Sequence, residues 1–223
     1  MKLKILVGCE ESQAVTTELR HLGLDAYSCD ILTSSGNLPQ YHIQDDILNV
    51  INLTNWTCLI GFPPCTYLTD AGNGYFNIEK YGAKAEQRII ERQKAVEFFK
   101  KLYFCNIKHI ALENPKGYLN NNFKKPDQTI HPYYFGDKNL KRTCLWLKNL
   151  PPLQHFKTND LFNKQTHVQK PAPKYIQKNG KNIYFTESIS SKKHSYLRSK
   201  TFNVIAKEMA MQWSEYLIYT YNL

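Results

Sequence analysis

Long apolar runs, paired cysteines and internal repeats are all missing from this 223-residue chain, and each absence narrows what it can be. No stretch approaches the ~18 consecutive apolar residues that a membrane-spanning helix requires, so a membrane partner is not expected. The six cysteines (Cys9, Cys29, Cys58, Cys65, Cys105 and Cys144) form no C-x-x-C pair, and no metal site is expected from them. Lys2 to Val7 reads as a strand rather than the apolar core of a signal sequence. The expectation is a cytoplasmic protein, in a compartment that keeps thiols reduced. Acidic residues are scarce too: 19 Asp and Glu face 29 Lys and Arg, a net charge of +10. The shortage is local. Residues 1–60 hold three Lys or Arg against seven Asp or Glu, whereas residues 116–200 hold seventeen against four. A basic segment of that kind favours phosphates through counterion release, so nucleic acid is the expected partner. The oligomeric state leaves no trace in the sequence.

What is present is an alternation of strands and helices over the first ~115 residues, the pattern of a parallel α/β sheet. Leu3–Val7 forms the first strand, and Gly8-Cys9-Glu10-Glu11 turns toward Ser12, a helix cap, with a helix from Gln13 to Leu22. Ala26–Cys29 is the second strand and ends in Asp30; a polar stretch follows, then Gln44-Asp45-Asp46 opens a short helix. Thr57-Cys58-Leu59-Ile60 is a strand leading to Cys65. Residues 84–103 form an amphipathic helix with Ala85, Ile89, Ala95, Val96, Phe99 and Leu102 on its apolar face. Ile107–Leu112 is the next strand. Between Cys65 and the helix, residues 66–82 contain Gly72-Asn73-Gly74 and Gly82, a glycine-hinged loop that is either a lid or a plain surface loop. Beyond residue 116 the periodicity fades, and residues 150–195 read as irregular with one hairpin. A helix returns over Thr201–Tyr219 with Phe202, Ile205, Met209, Trp213 and Leu217 on one face. The whole is expected to be one domain, with residues 116–200 as its basic, loop-rich, substrate-contacting part.

Two short motifs carry the chemistry. Gly61-Phe62-Pro63-Pro64-Cys65 places a thiol past a di-proline turn at the end of an apolar strand, and Glu113-Asn114-Pro115 ends the next one. In α/β sheets the carboxyl ends of the strands form the ligand-binding edge. Pro-Pro-Cys alone also fits a rigid turn ahead of a buried thiol. Together the two motifs put a nucleophile and an acid at neighbouring strand ends. That pair suits one reaction: the thiolate adds to C6 of a cytosine, the acid protonates N3, and C5 becomes nucleophilic enough to take a methyl group.

These residues resemble the Pro-Pro-Cys and Glu-Asn signatures of DNA cytosine-C5 methyltransferases, and the fuller text is most similar to the short phage and prophage branch of that family. The resemblance implies a Rossmann-like methyltransferase sheet with a small basic insertion before the last helix. It also implies DNA as substrate and S-adenosylmethionine as methyl donor, in a phage-infected or prophage-bearing cell. Cys65 is then the nucleophile, Glu113 the acid on N3, and Arg142 the contact to the cytosine carbonyl and phosphate. Pro64, Tyr67 and Asn114 flank the substrate. For the donor, Gly8 allows close backbone approach, the helix after Ser12 favours a carboxylate, and Asp30 accepts from ribose hydroxyls. Asp46 meets the adenine amino group or caps a helix, and Pro63 closes the pocket. Glu10 stands where the family has a second glycine and either contacts the donor's amino group or reshapes the pocket. The recognition domain of larger relatives is missing, and Arg198-Ser199-Lys200-Thr201-Phe202 replaces their final Gly-Asn motif. Two other functions stay open: C5 modification of free cytidine nucleotides, and a non-catalytic DNA-binding or host-interference module that keeps the fold.

Overall fold

The computed structural model describes residues 3–155, 169–178, 180, 182–184 and 201–223. Seven strands form one sheet in the order β3-β2-β1-β4-β5-β7-β6. They are β1 Lys4–Gly8, β2 Asp25–Asp30, β3 His42–Gln44, β4 Cys58–Gly61, β5 His109–Pro115, β6 Gln128–Ile130 and β7 Thr143–Lys148. β1 to β5 run parallel, and β7 lies antiparallel between β5 and β6. The helices are α1 Ala14–His21, α2 Ile47–Val50, α3 Ile78–Tyr81, α4 Ala83–Tyr103, α5 Tyr118–Asn122 and α6 Asn203–Tyr221. The chain is a Rossmann-like α/β protein.

Strand alternation divides the core into two layers. Ile5 and Val7 of β1, with Ile60, Ala111 and Leu145, face α1 and α6. Leu6, Leu59, Ile110 and Leu112 face the other way, onto Val96, Phe99 and Leu102 of α4. A strand buried on both faces must be apolar at successive positions, which is why β1, β4 and β5 read as continuous apolar runs. Ile205, Met209, Trp213 and Leu217 of α6 are all buried as the sequence spacing predicts. The Trp213 indole donates to the Pro151 carbonyl at 3.0 Å, so the largest side chain of α6 is both packed and satisfied. A small hairpin, β8 Tyr175–Ile176 with β9 Asn182–Ile183, stands apart from the main sheet. It is the hairpin expected within residues 150–195, of which residues 156–168, 179, 181 and 185–195 lie outside the described residues, as do Arg198, Ser199 and Lys200.

Three sequence expectations need correction. Ser12 does not cap α1; Gln13 occupies the cap position in a left-handed conformation and makes no side-chain cap bond. The face of α4 was misplaced: Ile89 is 43% exposed, although Ala85, Val96, Phe99 and Leu102 are buried. Helical spacing from Ala85 to Val96 passes through residues 88 and 92, so the inward stripe there consists of Arg88 and Arg92. Finally, the glycine-hinged segment is wound rather than open. It forms a 3-10 turn over Asp70–Phe76 and then α3, and only Gly82 in it has positive φ, at 50°.

Candidate active site

The strand ends converge on one edge. Gly8 lies level with Cys29 on one side and Gly61 on the other, and Gly61 is level with Leu112. Phe62 and Glu113 each follow by one residue, so both sequence motifs leave the sheet side by side. β6 runs with β5, because both are antiparallel to β7, so residues 131 onward also emerge at this edge.

A buried hydrogen bond joins the two motifs. Asn114 is fully buried, and its Nδ2 donates to the Pro63 carbonyl at 2.8 Å. The side chain of the Glu-Asn motif therefore holds the backbone of the Pro-Pro-Cys motif against β5. A second tie lies just beyond. Tyr118 N donates to the Leu68 carbonyl at 2.7 Å, Thr69 bridges Gly117, and Lys116 lies 3.9 Å from the Asp70 carboxylate. A Cβ at Gly117 would run into the Leu68 carbonyl, so glycine is required there for close approach, not for φ. Cys65 itself is half-buried, and its carbonyl accepts from Leu68 N at 2.9 Å and Thr69 N at 3.2 Å, a tight turn that fixes the residue's backbone.

Glu113 is half-buried in β5, and burial raises its carboxyl above the usual range while the charge of Lys141 pulls it down. The cation acting on Glu113 is thus Lys141, not Arg142. Glu113 is opposite Leu145, and directly opposed residues share a face, so Thr143 lies on Glu113's side where the chain enters β7 from Lys141. Arg142 is exposed just before β7, and its charge is felt by His131 instead.

At the β1–β2 corner, Glu10 is buried and its carboxylate accepts from Val15 N at 2.6 Å, Thr16 N at 3.3 Å and Thr16 Oγ1 at 2.8 Å. It therefore satisfies the first amides of α1, the donors that a ligand carboxylate would use. Burial pushes the Glu10 carboxyl up to about 7 against those hydrogen bonds. Gln13 is buried and strapped to the polar stretch after β2: its Nε2 donates to Ser28 Oγ and the Leu38 carbonyl, and its Oε1 accepts from Ser34 Oγ and Leu38 N. Ser12 sits half-buried under that stretch, with its carbonyl close to Gly36. Gly8 packs against Ile47, which a Cβ would strike.

Asp30 Oδ1 accepts from Leu32 N at 2.9 Å, and Asp46 Oδ1 accepts from Leu48 N at 2.9 Å as the cap of α2. Both carboxylates, with Cys29, act on the Cys9 thiol, which burial already pushes far up. The two acids thus converge at the end of β1. Ile31 and Leu32, 72% and 58% exposed, stand beside them and were missed in the sequence because they sit outside any periodic element. Among the described residues, no group of three or more His, Cys, Asp or Glu could hold a metal, and no helix is long and apolar enough to cross a membrane.

The loop after Cys65 is held by α4. Arg92 Nε donates to the Tyr67 carbonyl at 2.9 Å and its Nη2 to Asn73 Oδ1 at 2.8 Å, while the guanidinium lies 3.3 Å from the Phe76 ring centre. The half-buried Tyr67 ring lies 5.0 Å below the Arg88 guanidinium. Neither arginine was singled out in the sequence, although their four-residue spacing on the inward stripe was readable.

No family model matches the chain, and no curated protein matches it. Among solved structures, it is similar to a putative DNA modification methyltransferase encoded within a prophage of E. coli, with a TM-score of 0.44 and 13% sequence identity. That alignment covers 66% of this chain and 46% of the other, so the chain spans less than half that protein's length.

Proposed function

We propose that this protein transfers a methyl group to C5 of cytosine in DNA, with Cys65 as nucleophile and Glu113 as proton donor. The observation that carries the reading is the buried Asn114–Pro63 bond, because it holds the thiol-bearing turn and the acid-bearing strand in one rigid unit. Two isolated motifs have bland explanations; a dedicated buried tie between them has fewer.

Cys65 adds through sulfur to C6 as Glu113 gives its proton to N3, which leaves electron density on C5. C5 takes the methyl group. Loss of the C5 proton to solvent then restores the C5–C6 double bond, expels the thiolate and returns the N3 proton to Glu113. A carboxyl raised by burial is suited to being protonated when the ring arrives, and Lys141 opposite supplies a charge that favours its anion afterwards. Pro64 is exposed at the turn, and Tyr67 lines the loop beyond it. Arg142, exposed on the same edge, would meet a substrate phosphate in this reading.

S-adenosylmethionine, when bound, supplies the electrophilic methyl. The β1–β2 corner fits its nucleoside half: Asp30 and Asp46 offer carboxylate oxygens to hydroxyl and amino hydrogens, and Ile31 and Leu32 offer apolar surface to a purine. Gly8, whose carbonyl accepts from Phe62 N at 2.9 Å, links this corner to the turn that carries Pro63. Of the two sequence readings of Glu10, its bonds to the first amides of α1 favour a residue that reshapes the pocket over a contact to the donor's amino group. A cytosine in a duplex must leave the stack to reach Cys65, at a cost of a few kcal/mol that basic surface offsets.

Mass spectrometry of nucleosides from cytosine-containing DNA incubated with the protein and S-adenosylmethionine tests the reading. Methylcytosine with wild type and none with Cys65→Ser supports it. Unmodified DNA alongside measurable donor binding contradicts it.

A further inference from the structure

We infer that Arg88 is an anion-binding residue that takes a phosphate group of the substrate. This rests on the reading of Cys65 as the nucleophile acting on a cytosine nucleotide.

Arg88 lies in the second turn of α4, on the stripe that faces the post-cysteine segment. Its guanidinium sits among three rings: Tyr67 at 5.0 Å, Phe76 at 5.0 Å and Tyr75 at 5.5 Å from their centres. Its Nε is buried and has no hydrogen-bond partner, and no ion pair to Arg88 occurs among the described residues. An arginine cannot shed its charge, so a partly buried guanidinium with unspent donors is a costly arrangement. One turn on, Arg92 shows how a structural arginine in this setting behaves: both of its hydrogen-bonding edges are used within the protein. Arg88 shares Tyr67 and Phe76 with it and has no such bonds among the described residues.

Place and chemistry agree on what completes it. α4 returns from the strand ends, so its first turns lie at the edge that carries Cys65. Tyr67, whose ring Arg88 covers, is two residues past the nucleophile. A substrate whose cytosine sits over Cys65 carries its sugar phosphate within the same few ångströms, and the planar guanidinium fork matches phosphate geometry. The aromatic faces hold the cation in position without consuming its N–H groups. The ligand is therefore a phosphate, whether the diester flanking a base in DNA or the monoester of a free nucleotide.

The test is equilibrium binding of a cytosine-containing oligonucleotide, and of dCMP, across a salt series. Wild type, Arg88→Gln, Arg88→Lys and the distal control Lys100→Gln are compared, each checked for folding by its melting curve. For DNA, Arg88→Gln should weaken binding roughly tenfold and flatten the log–log salt slope by about one phosphate. Arg88→Lys should restore most of the slope, and Lys100→Gln should leave it unchanged. A merely structural role in packing the loop would not change the slope. If instead dCMP binding is lost in Arg88→Gln while DNA binding is untouched, the phosphate is that of a free nucleotide. Should Arg88→Gln fail to fold, an Arg88→Lys variant with the wild-type slope for DNA and weaker affinity still supports the contact through the retained charge. Wild-type affinity and slope for both ligands in a folded Arg88→Gln, or, where Arg88→Gln does not fold, in Arg88→Lys, would overturn the inference alone. Failure of wild type to bind either ligand would overturn the functional reading with it.

Discussion

Asn114 is the residue on which the site's geometry turns. Removing its side chain leaves the Pro63 carbonyl buried without a donor, at a cost of about 1–3 kcal/mol. Asn114→Ala is expected to lower stability by that amount in a urea titration and to reduce methyl transfer at least tenfold, since the thiol loses its fixed distance from Glu113. Gly117 makes a sharper case. Gly117→Ala drives a methyl group into the Leu68 carbonyl and must separate the segment after Cys65 from the one after Glu113, whereas Gly74→Ala meets nothing within 4 Å. The former should lose most activity and the latter retain it; equal activity of the two would refute the packing argument. Gly117 was invisible in the sequence because its φ is ordinary and the need for glycine comes from a neighbour 49 positions away, at Leu68. Cys65 and Glu113 were legible because each sits in a local signature. The cation acting on Glu113 was not: a sequence shows Lys141 and Arg142 as neighbours, and only the folded chain brings the charge of Lys141 to bear on the carboxyl.

Among the elements, the parallel strands β1, β2, β4 and β5 and the last helix were readable from apolar pattern, because each buries a face that composition must honour; β3, short, polar and at the sheet's edge, was read as a polar stretch running into a helix. α4 was read only in part. Periodicity favours apolar residues, so it selected Ile89, while the helix turns Arg88 and Arg92 inward where it leaves the sheet and meets the post-cysteine loop. That loop's glycines suggested a free lid, yet Arg92 fastens it to α4 and Tyr118 fastens it to the far side of the site. Arg92→Met keeps much of the stem's packing and removes both hydrogen bonds. It is expected to leave the melting temperature within a few degrees, because Leu68, the loop's buried contribution to the core, keeps its packing. Its kcat should fall severalfold, and limited proteolysis should cut between residues 66 and 76 faster than in wild type. Unchanged cleavage would mean that the loop is held by something other than Arg92. The antiparallel β7 escaped direction-finding in the sequence altogether, since a single apolar run has no polarity.

Charge is divided along the chain, with an acidic first part, residues 1–60, and a basic segment, residues 116–200. In the proposed function the first would hold the donor and the second would meet the substrate. That division of charge was plain from sequence counts. The buried acids add a pH dependence that was not. Glu10 and Glu113 both have carboxyls raised by burial, so the folded state binds their protons more tightly than the unfolded chain does. That contribution to stability is complete below the usual carboxylate range and is lost as pH rises through the raised values. For Glu10 the window runs from 4.5 to about 7. Melting temperature should therefore fall over this interval, and Glu113→Gln should flatten the part that belongs to Glu113. A melting temperature that climbs steadily with pH would contradict the burial of these groups as acids.

The central claim is that Cys65 bonds covalently to a cytosine, and it can be trapped. A DNA strand carrying fluorine at C5 of the target cytosine can be attacked and methylated, but it cannot lose fluorine as a cation, so the thiolate is not expelled. Mass spectrometry of the protein after incubation with such a strand and S-adenosylmethionine reads the outcome directly. The account predicts a denaturation-resistant species at the combined mass of protein, strand and one methyl group, absent in Cys65→Ser. The same species in Cys65→Ser, or none in wild type that binds both donor and strand, would contradict it.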